Sequence, residues 1–198
     1  MIQFINLNKE APFQLFKKKY DEALSADQKS IEAISISSYN KEINEVDSRY
    51  VNLKFISNDE FIFFSNYHSP KAHSFISHDQ IAALFYWSSI NVQIRMKAKI
   101  HKTSKEFNQE YFFDRSLKKN ALAISSNQSK PINSYSQVKE NFNRSLQNDD
   151  LKTCPDFWGG YAFIPFYFEF WEGEDSRLNK REAFEKKLDK WNHFLLQP

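Results

Sequence analysis

Glycine is nearly missing from this chain. Only Gly159, Gly160 and Gly173 occur in 198 residues, against a usual share of about 7%. That scarcity excludes the glycine-rich phosphate loops of dinucleotide and nucleotide-triphosphate sites. Cysteine occurs once, as Cys154. It can form neither an intrachain disulfide nor a multi-cysteine zinc site, and it reads as a small packed residue. No run of about 18 apolar residues is present, so no helical membrane span is expected. The start, Met1 to Glu10, lacks a basic stretch followed by an apolar core, so no signal peptide is expected; a cytoplasmic location is the corresponding expectation. The net charge is only +2 and basic residues are spread along the chain, so neither nucleic acid nor an anionic membrane is expected as a partner. His68, His73 and His78 do not have the i, i+4 spacing of a helical metal pair, and no metal is expected. There is no Gly-x-Ser-x-Gly motif, and Cys154 has no identifiable base, so nothing points to nucleophilic catalysis.

What is abundant is aromatic: 17% of residues, including 20 phenylalanines. That content argues against disorder, and the length suits one domain with a substantial core. The stretch Asp156 to Arg181 holds all three glycines and two of the four tryptophans, Trp158 and Trp171. Tyr161 to Trp171 alternates imperfectly between apolar and other residues and reads as a buried strand. The polar segment after Gly173 carries Arg177 and Arg181. An aromatic wall followed by cations at a strand end suits a flat anionic ligand; a core strand with a solvated turn is the plainer reading.

The spacing of Phe13, Phe16, Tyr20 and Leu24 predicts a helix over 11–26, and residues 1–29 read as a helical extension ahead of a main domain over 30–198. Strands are expected over 31–38, 49–56 and 60–65, with turns at Tyr39–Glu42 and Ser57–Asp59. These connections are too short for crossovers, so the meander is antiparallel. Ser69 and Pro70 open a short helix. A buried strand is expected over 81–87 and an alternating one over 92–101. Thr103 or Ser104 caps a helix running to about Lys118; helices follow over 121–126 and 134–147. Strands over 161–171, 182–188 and 191–196 end the chain. The fold class is mainly β with helices. Six or seven antiparallel strands are most economically closed into a small barrel, because closure removes exposed edges.

Arg49, Lys54, Lys71, Arg115, Arg177 and Arg181 are candidate anion ligands, since each sits at a strand or a helix end and not in a charge run. Lys71 falls in the first turn of a helix, where backbone N–H groups add to an anion site. Strict alternation would put Arg49 and Lys54 on opposite faces. Either they serve different ligands or the strand carries a bulge.

In order along residues 30–198 run Arg49-Tyr-Val-Asn-Leu-Lys54, Ser65-Asn66-Tyr-His-Ser69-Pro-Lys71-Ala72-His73, Leu84-Phe85-Tyr86-Trp87 and Gln93. Tyr111-Phe112-x-x-Arg115, Gln128-Ser129, Phe157-Trp158-Gly159-Gly160, Glu169-Phe170-Trp171-x-Gly173 and Arg177-Leu178 with Arg181 complete the set. This ordered set resembles the pyridoxine/pyridoxamine 5′-phosphate oxidase family. The resemblance implies an FMN-binding split β-barrel, Greek-key-like, forming a homodimer with two FMN sites at its interface. It implies an oxidase that converts pyridoxine 5′-phosphate or pyridoxamine 5′-phosphate to pyridoxal 5′-phosphate, with O2 as acceptor and H2O2 released. Arg49 and Lys71, assisted by Ser129, would hold the FMN phosphate. Val51, Leu53, Lys54, Phe64, Ser65, Gln93, Gln128, Trp171 and Arg181 would contact the rest of the flavin. Lys54, Tyr111, Arg115 and Lys119 would take the substrate phosphate, while Arg177 and Asn179 would stand at the reacting carbon. Related flavin oxidation of another flat metabolite, such as a phenazine precursor, and non-catalytic flavin or vitamer binding are the alternatives.

Three positions depart from the family pattern. Pro70 stands where arginine is usual, which removes a cation from the implied flavin phosphate site. Lys119 stands near a usual serine. Asn179 replaces a histidine, so this position hydrogen-bonds but does not titrate near neutral pH.

Overall fold

A computed structural model describes all residues, 1–198. Its elements are β1 (Gln3–Ile5), α1 (Ala11–Ser25), β2 (Ala33–Asn40), β3 (Glu45–Ser57), β4 (Glu60–Asn66), α2 (Pro70–Ser77), β5 (Gln80–Trp87) and β6 (Val92–Lys102). Then come α3 (Lys105–Asp114), α4 (Leu117–Ser125), α5 (Tyr135–Asn148), β7 (Trp158–Glu172), β8 (Lys180–Lys187) and β9 (Lys190–Leu195).

Strand pairing runs β3-β2-β5-β6-β7, and β4 bridges β7 back to β3. The ring is therefore a closed antiparallel barrel of six strands. β8 and β9 extend it from β7, and β1 adds to β3 in parallel. Closure leaves no free edge within the ring. The interior is built by alternation: along β6, Val92, Ile94, Met96, Ala98 and Ile100 are buried, while Arg95, Lys97 and Lys99 face out. β7 contributes Tyr161, Phe163, Phe168 and Phe170 to the same core. Phe13, Phe16, Tyr20 and Ala23 of α1 join it at helical spacing, and Phe16 packs edge-on to Phe61 at 5.2 Å between ring centres. The first helix thus shares one core with the barrel.

Several expectations need correction. The helix expected to run to Lys118 stops at Asp114, and α4 begins at Leu117. Arg115 leaves the helical region at φ −68°, ψ 153°, and Ser116 starts the next helix in extended geometry. The turn expected at Tyr39–Glu42 lies past Asn40, because β2 pairs with β3 through Asn40↔Glu45. β1 was not foreseen, and its parallel pairing departs from an all-antiparallel sheet. Ser104 is the cap of α3, accepting from Phe107 N–H at 3.2 Å.

Candidate functional site

A cavity of about 680 Å³ opens beside β3 and β4, walled by α3, α4 and the loop before α5. It brings together Arg49, Val51, Lys54, Phe64, Ser65, Lys71, Tyr111, Arg115, Lys119, Gln128 and Ser129. Arg49 and Lys54 both line this cavity, which takes every residue of β3 from Asp47 to Asn52 as well as Lys54. β3 also carries a bulge: Leu53 pairs with Phe63 but Phe55 pairs with Ile62, so Lys54 is the extra residue.

The cations form two groups. In the first, Arg49 donates through Nη1 to Ser38 Oγ at 2.8 Å and to the Ile36 carbonyl at 3.2 Å. Its Nη2 pairs with Asp47. Lys71 is 7% exposed, yet its ammonium reaches only hydroxyls, Ser65 Oγ at 3.1 Å and Ser69 Oγ at 3.3 Å. Burial, then the charge of Arg49, pulls its pKa down to about 8, against partial relief from Asp47. Ser69 occupies the N-cap position of α2 but makes no side-chain cap bond; its hydroxyl serves Lys71 instead.

In the second group are Lys54, Arg115 and Lys119. None has a carboxylate within ion-pair distance. Burial lowers the Lys54 pKa; Glu32 opposes this, while Lys119 and Arg115 add to it. Arg115 is held by Asn120 Oδ1 at 3.2 Å. Asn120 is fully buried and donates to the Phe112 and Leu151 carbonyls at 2.7 and 2.8 Å. The guanidinium lies 4.4 Å from the centre of the Trp158 ring. The same cavity holds an aromatic stack: Phe64 lies 3.9 Å from Tyr111 and 5.1 Å from Trp158, nearly parallel to both. Burial raises the Tyr111 phenol, and Arg115 partly offsets it.

Gln128 is fixed at this wall. Its Oε1 accepts from Ser65 Oγ and from Asn66 N–H, both at 3.2 Å. Ser129 beside it takes a left-handed backbone, φ 66°.

The remaining expected residues lie elsewhere. The Leu53 side chain has no exposure and belongs to the core, so it does not line the cavity. Gln93, Trp171 and Arg181 form one transverse row across β6, β7 and β8, as register partners. None of the three lines the cavity, nor do Arg177 and Asn179. Arg177 sits exposed on the turn after β7 at φ 62°, and Asn179 Oδ1 accepts from Glu174 N–H at 3.1 Å. Asp47, Ser48, Tyr50 and Asn52 line the cavity without being among the expected site residues, and so do Pro70, the departure from the family pattern at the flavin phosphate site, and Trp158, the tryptophan beside two rare glycines. Tyr50 and Asn52 lie within the Arg49–Lys54 motif; for Asp47 and Ser48 the sequence carries no signal.

Residues 158–198 match the family model described as the pyridoxine 5′-phosphate oxidase C-terminal dimerisation region. The chain is 34% identical over 176 residues to pyridoxine/pyridoxamine 5′-phosphate oxidase 1 of Hydrogenovibrio crunogenus, covering 88% of this chain and 81% of that one. In fold it is similar to PhzG from Burkholderia lata, solved with tetrahydrophenazine-1-carboxylic acid. That match has a TM-score of 0.89 at 22% identity, over 94% of this chain and 92% of the other. It is also similar to a pyridoxamine 5′-phosphate oxidase-related, FMN-binding protein from Nostoc punctiforme, with a TM-score of 0.78 at 12% identity, over 96% and 100% of the two chains. Sequence match over most of both chains, and a split barrel to go with it, lead to one conclusion: the chain belongs to the pyridoxine/pyridoxamine 5′-phosphate oxidase family.

Proposed function

We propose that this protein is an FMN-dependent oxidase that converts pyridoxine 5′-phosphate or pyridoxamine 5′-phosphate to pyridoxal 5′-phosphate, with O2 as acceptor. One observation carries the reading. A single cavity holds two groups of cations, Arg49 with Lys71 and Lys54 with Arg115 and Lys119, together with an aromatic stack. Two anionic groups and flat rings are what such a cavity accommodates, and a flavin mononucleotide with a phosphorylated pyridine supplies both.

The residues fit FMN. Lys71 is a buried ammonium with no anion of its own, and a phosphate there supplies the missing counter-charge. When bound, the flavin supplies hydride acceptance and reoxidation by O2. The chain's own residues bind and orient. Arg115, stacked on Trp158 and fixed by Asn120, holds the substrate phosphate away from the reacting carbon. That remote clamp contributes binding energy to alignment.

We further infer a homodimer. Gln93, Trp171, Arg181, Arg177 and Asn179 lie outside the cavity of their own subunit, and four of them fall within the matched dimerisation region. A second copy would bring this row against the cavity, with Arg177 and Asn179 at the reacting carbon.

The test is the visible spectrum of the purified protein, followed by aerobic addition of pyridoxine 5′-phosphate with peroxide detection. Flavin bands and peroxide release are expected. A flavin-bound protein silent toward both phosphorylated vitamers would sink the substrate assignment. A colourless protein that ignores added FMN would sink the whole reading.

A further inference from the structure

Glu169 is the one carboxylate among the buried residues, at 4% exposure, and its place is unusual. Its neighbours Phe168 and Phe170 point into the barrel, so alternation sends Glu169 to the outer face. A carboxylate there would ordinarily stay in water, because removing it from water costs several kcal/mol. Instead both of its oxygens are fully engaged. Oε1 accepts from Arg181 Nε at 3.0 Å and from Arg181 Nη2 at 2.8 Å. Oε2 accepts from Arg95 Nη2 at 2.6 Å and from the Tyr167 hydroxyl at 3.0 Å. Burial pushes its pKa up, but the hydrogen bonds and the two guanidinium charges prevail and hold it below the usual carboxylate range.

The register explains the geometry. Arg95 is directly across from Glu169 on β6, while Arg181 faces Trp171 one row away and reaches back diagonally. Arg181 also donates through Nη1 to the Gln197 carbonyl at 2.8 Å. Three of its five N–H groups are thus fixed by the protein. One on Nη1 and one on Nη2 stay free, as a fork beside Trp171 and Gln93.

We propose that Glu169 is a positioning residue of the flavin site: it clamps Arg181 so that the two free guanidinium N–H groups are presented, already oriented, in the Gln93–Trp171–Arg181 row. The proposal rests on the reading that Arg181 contacts FMN. Holding the fork in advance reduces the ordering cost of binding.

The experiment is FMN titration by flavin fluorescence on the full chain for wild type, Glu169→Gln, Arg181→Ala and the double variant, each with its Tm. Glu169→Gln is expected to weaken FMN binding about tenfold, the effect of one impaired charged hydrogen bond. The double variant is expected to bind no worse than Arg181→Ala alone, because Glu169 acts through that side chain. A lowered Tm with unchanged FMN affinity would make Glu169 merely structural and overturn the proposal, as would additive losses. Unchanged affinity in Arg181→Ala would overturn it differently, by removing Arg181 from the flavin site. If Glu169→Gln does not fold, Tyr167→Phe takes one donor from Oε2 and keeps the charge. It is expected to weaken binding about threefold, and no change there counts against the proposal.

Discussion

Replacing Lys71 by methionine should make the cofactor-free protein more stable while abolishing tight flavin binding. The ammonium is 7% exposed and has only two hydroxyl oxygens for company, at 3.1 and 3.3 Å. Its pKa falls from 10.5 to about 8, through burial first and the Arg49 charge second. At about 1.4 kcal/mol per pH unit, that is a penalty of roughly 3 kcal/mol for keeping it charged at pH 7. Methionine keeps the apolar stem and removes the charge, but forfeits two long hydrogen bonds worth about 0.5 to 1 kcal/mol each. The net gain is about 1 to 2 kcal/mol, or a Tm rise of roughly 2 to 8 °C for a chain of this length. Urea unfolding of the FMN-free protein at several pH values is the assay. An unfolded lysine keeps its proton to about pH 10.5, whereas the folded one releases it near pH 8. The unfolded state therefore binds more protons in that window, and wild-type stability rises with pH across it. The methionine variant lacks this rise, so the gap between the two proteins narrows from pH 8 upward. A methionine variant less stable than wild type at pH 7, or a gap that ignores pH, would refute the account of Lys71 as a strained, anion-seeking cation.

Three further outcomes follow from the same contacts. Arg115→Lys keeps the charge but loses the planar stack on Trp158 and the bond to Asn120; KM for phosphorylated substrate should rise at least tenfold, with little change for the dephosphorylated vitamer, measured by initial rates. Asp47→Asn removes a carboxylate that occupies Arg49 at the proposed flavin phosphate corner; FMN affinity should tighten severalfold in a fluorescence titration, and weaker binding would mean that Asp47 assists the site. Gly159→Ala would drive a Cβ into the Tyr67 hydroxyl and the Asn108 amide; a loss of about 1 to 3 kcal/mol is expected in urea unfolding.

Sequence alone reached the barrel because its signals are periodic. β6 alternates without a break, and α1 repeats its aromatics at helical spacing. It missed what depends on a partner strand. β1 is three residues long, too short to show a period, and exists by pairing with β3. The bulge at Lys54 adds one residue to a strand whose composition is unremarkable, so only pairing against β4 reveals it. The break between α3 and α4 carries neither glycine nor proline; it is set by Ser116 and by Asn120 reaching back to the Phe112 carbonyl. The cavity residues were legible through resemblance far more than through chemistry. The place of Lys71 in the first turn of a helix marks it as a candidate anion ligand, but its burial, like that of Glu169 on the aromatic strand, shows only in the fold.

The scarcity of glycine is itself part of the site's construction. Gly160 N–H donates to Asn108 Oδ1 at 2.8 Å, and that oxygen also takes the Thr103 hydroxyl at 2.6 Å. Asn108 Nδ2 donates to the Tyr67 hydroxyl at 3.1 Å, which in turn donates to the Gly160 carbonyl at 3.1 Å. The loop of bonds closes on itself and fastens α3 to β7 through a buried asparagine, 4% exposed. A side chain at Gly159 or Gly160 would occupy the space these groups use. Tyr111 lies one helical turn beyond Asn108, and Arg115 one more, at the C-cap of α3. Their reach into the cavity is therefore fixed by the close approach of a helix to a strand that only glycine permits. The two adjacent glycines of β7 matter for function through that spacing and contribute no chemistry of their own.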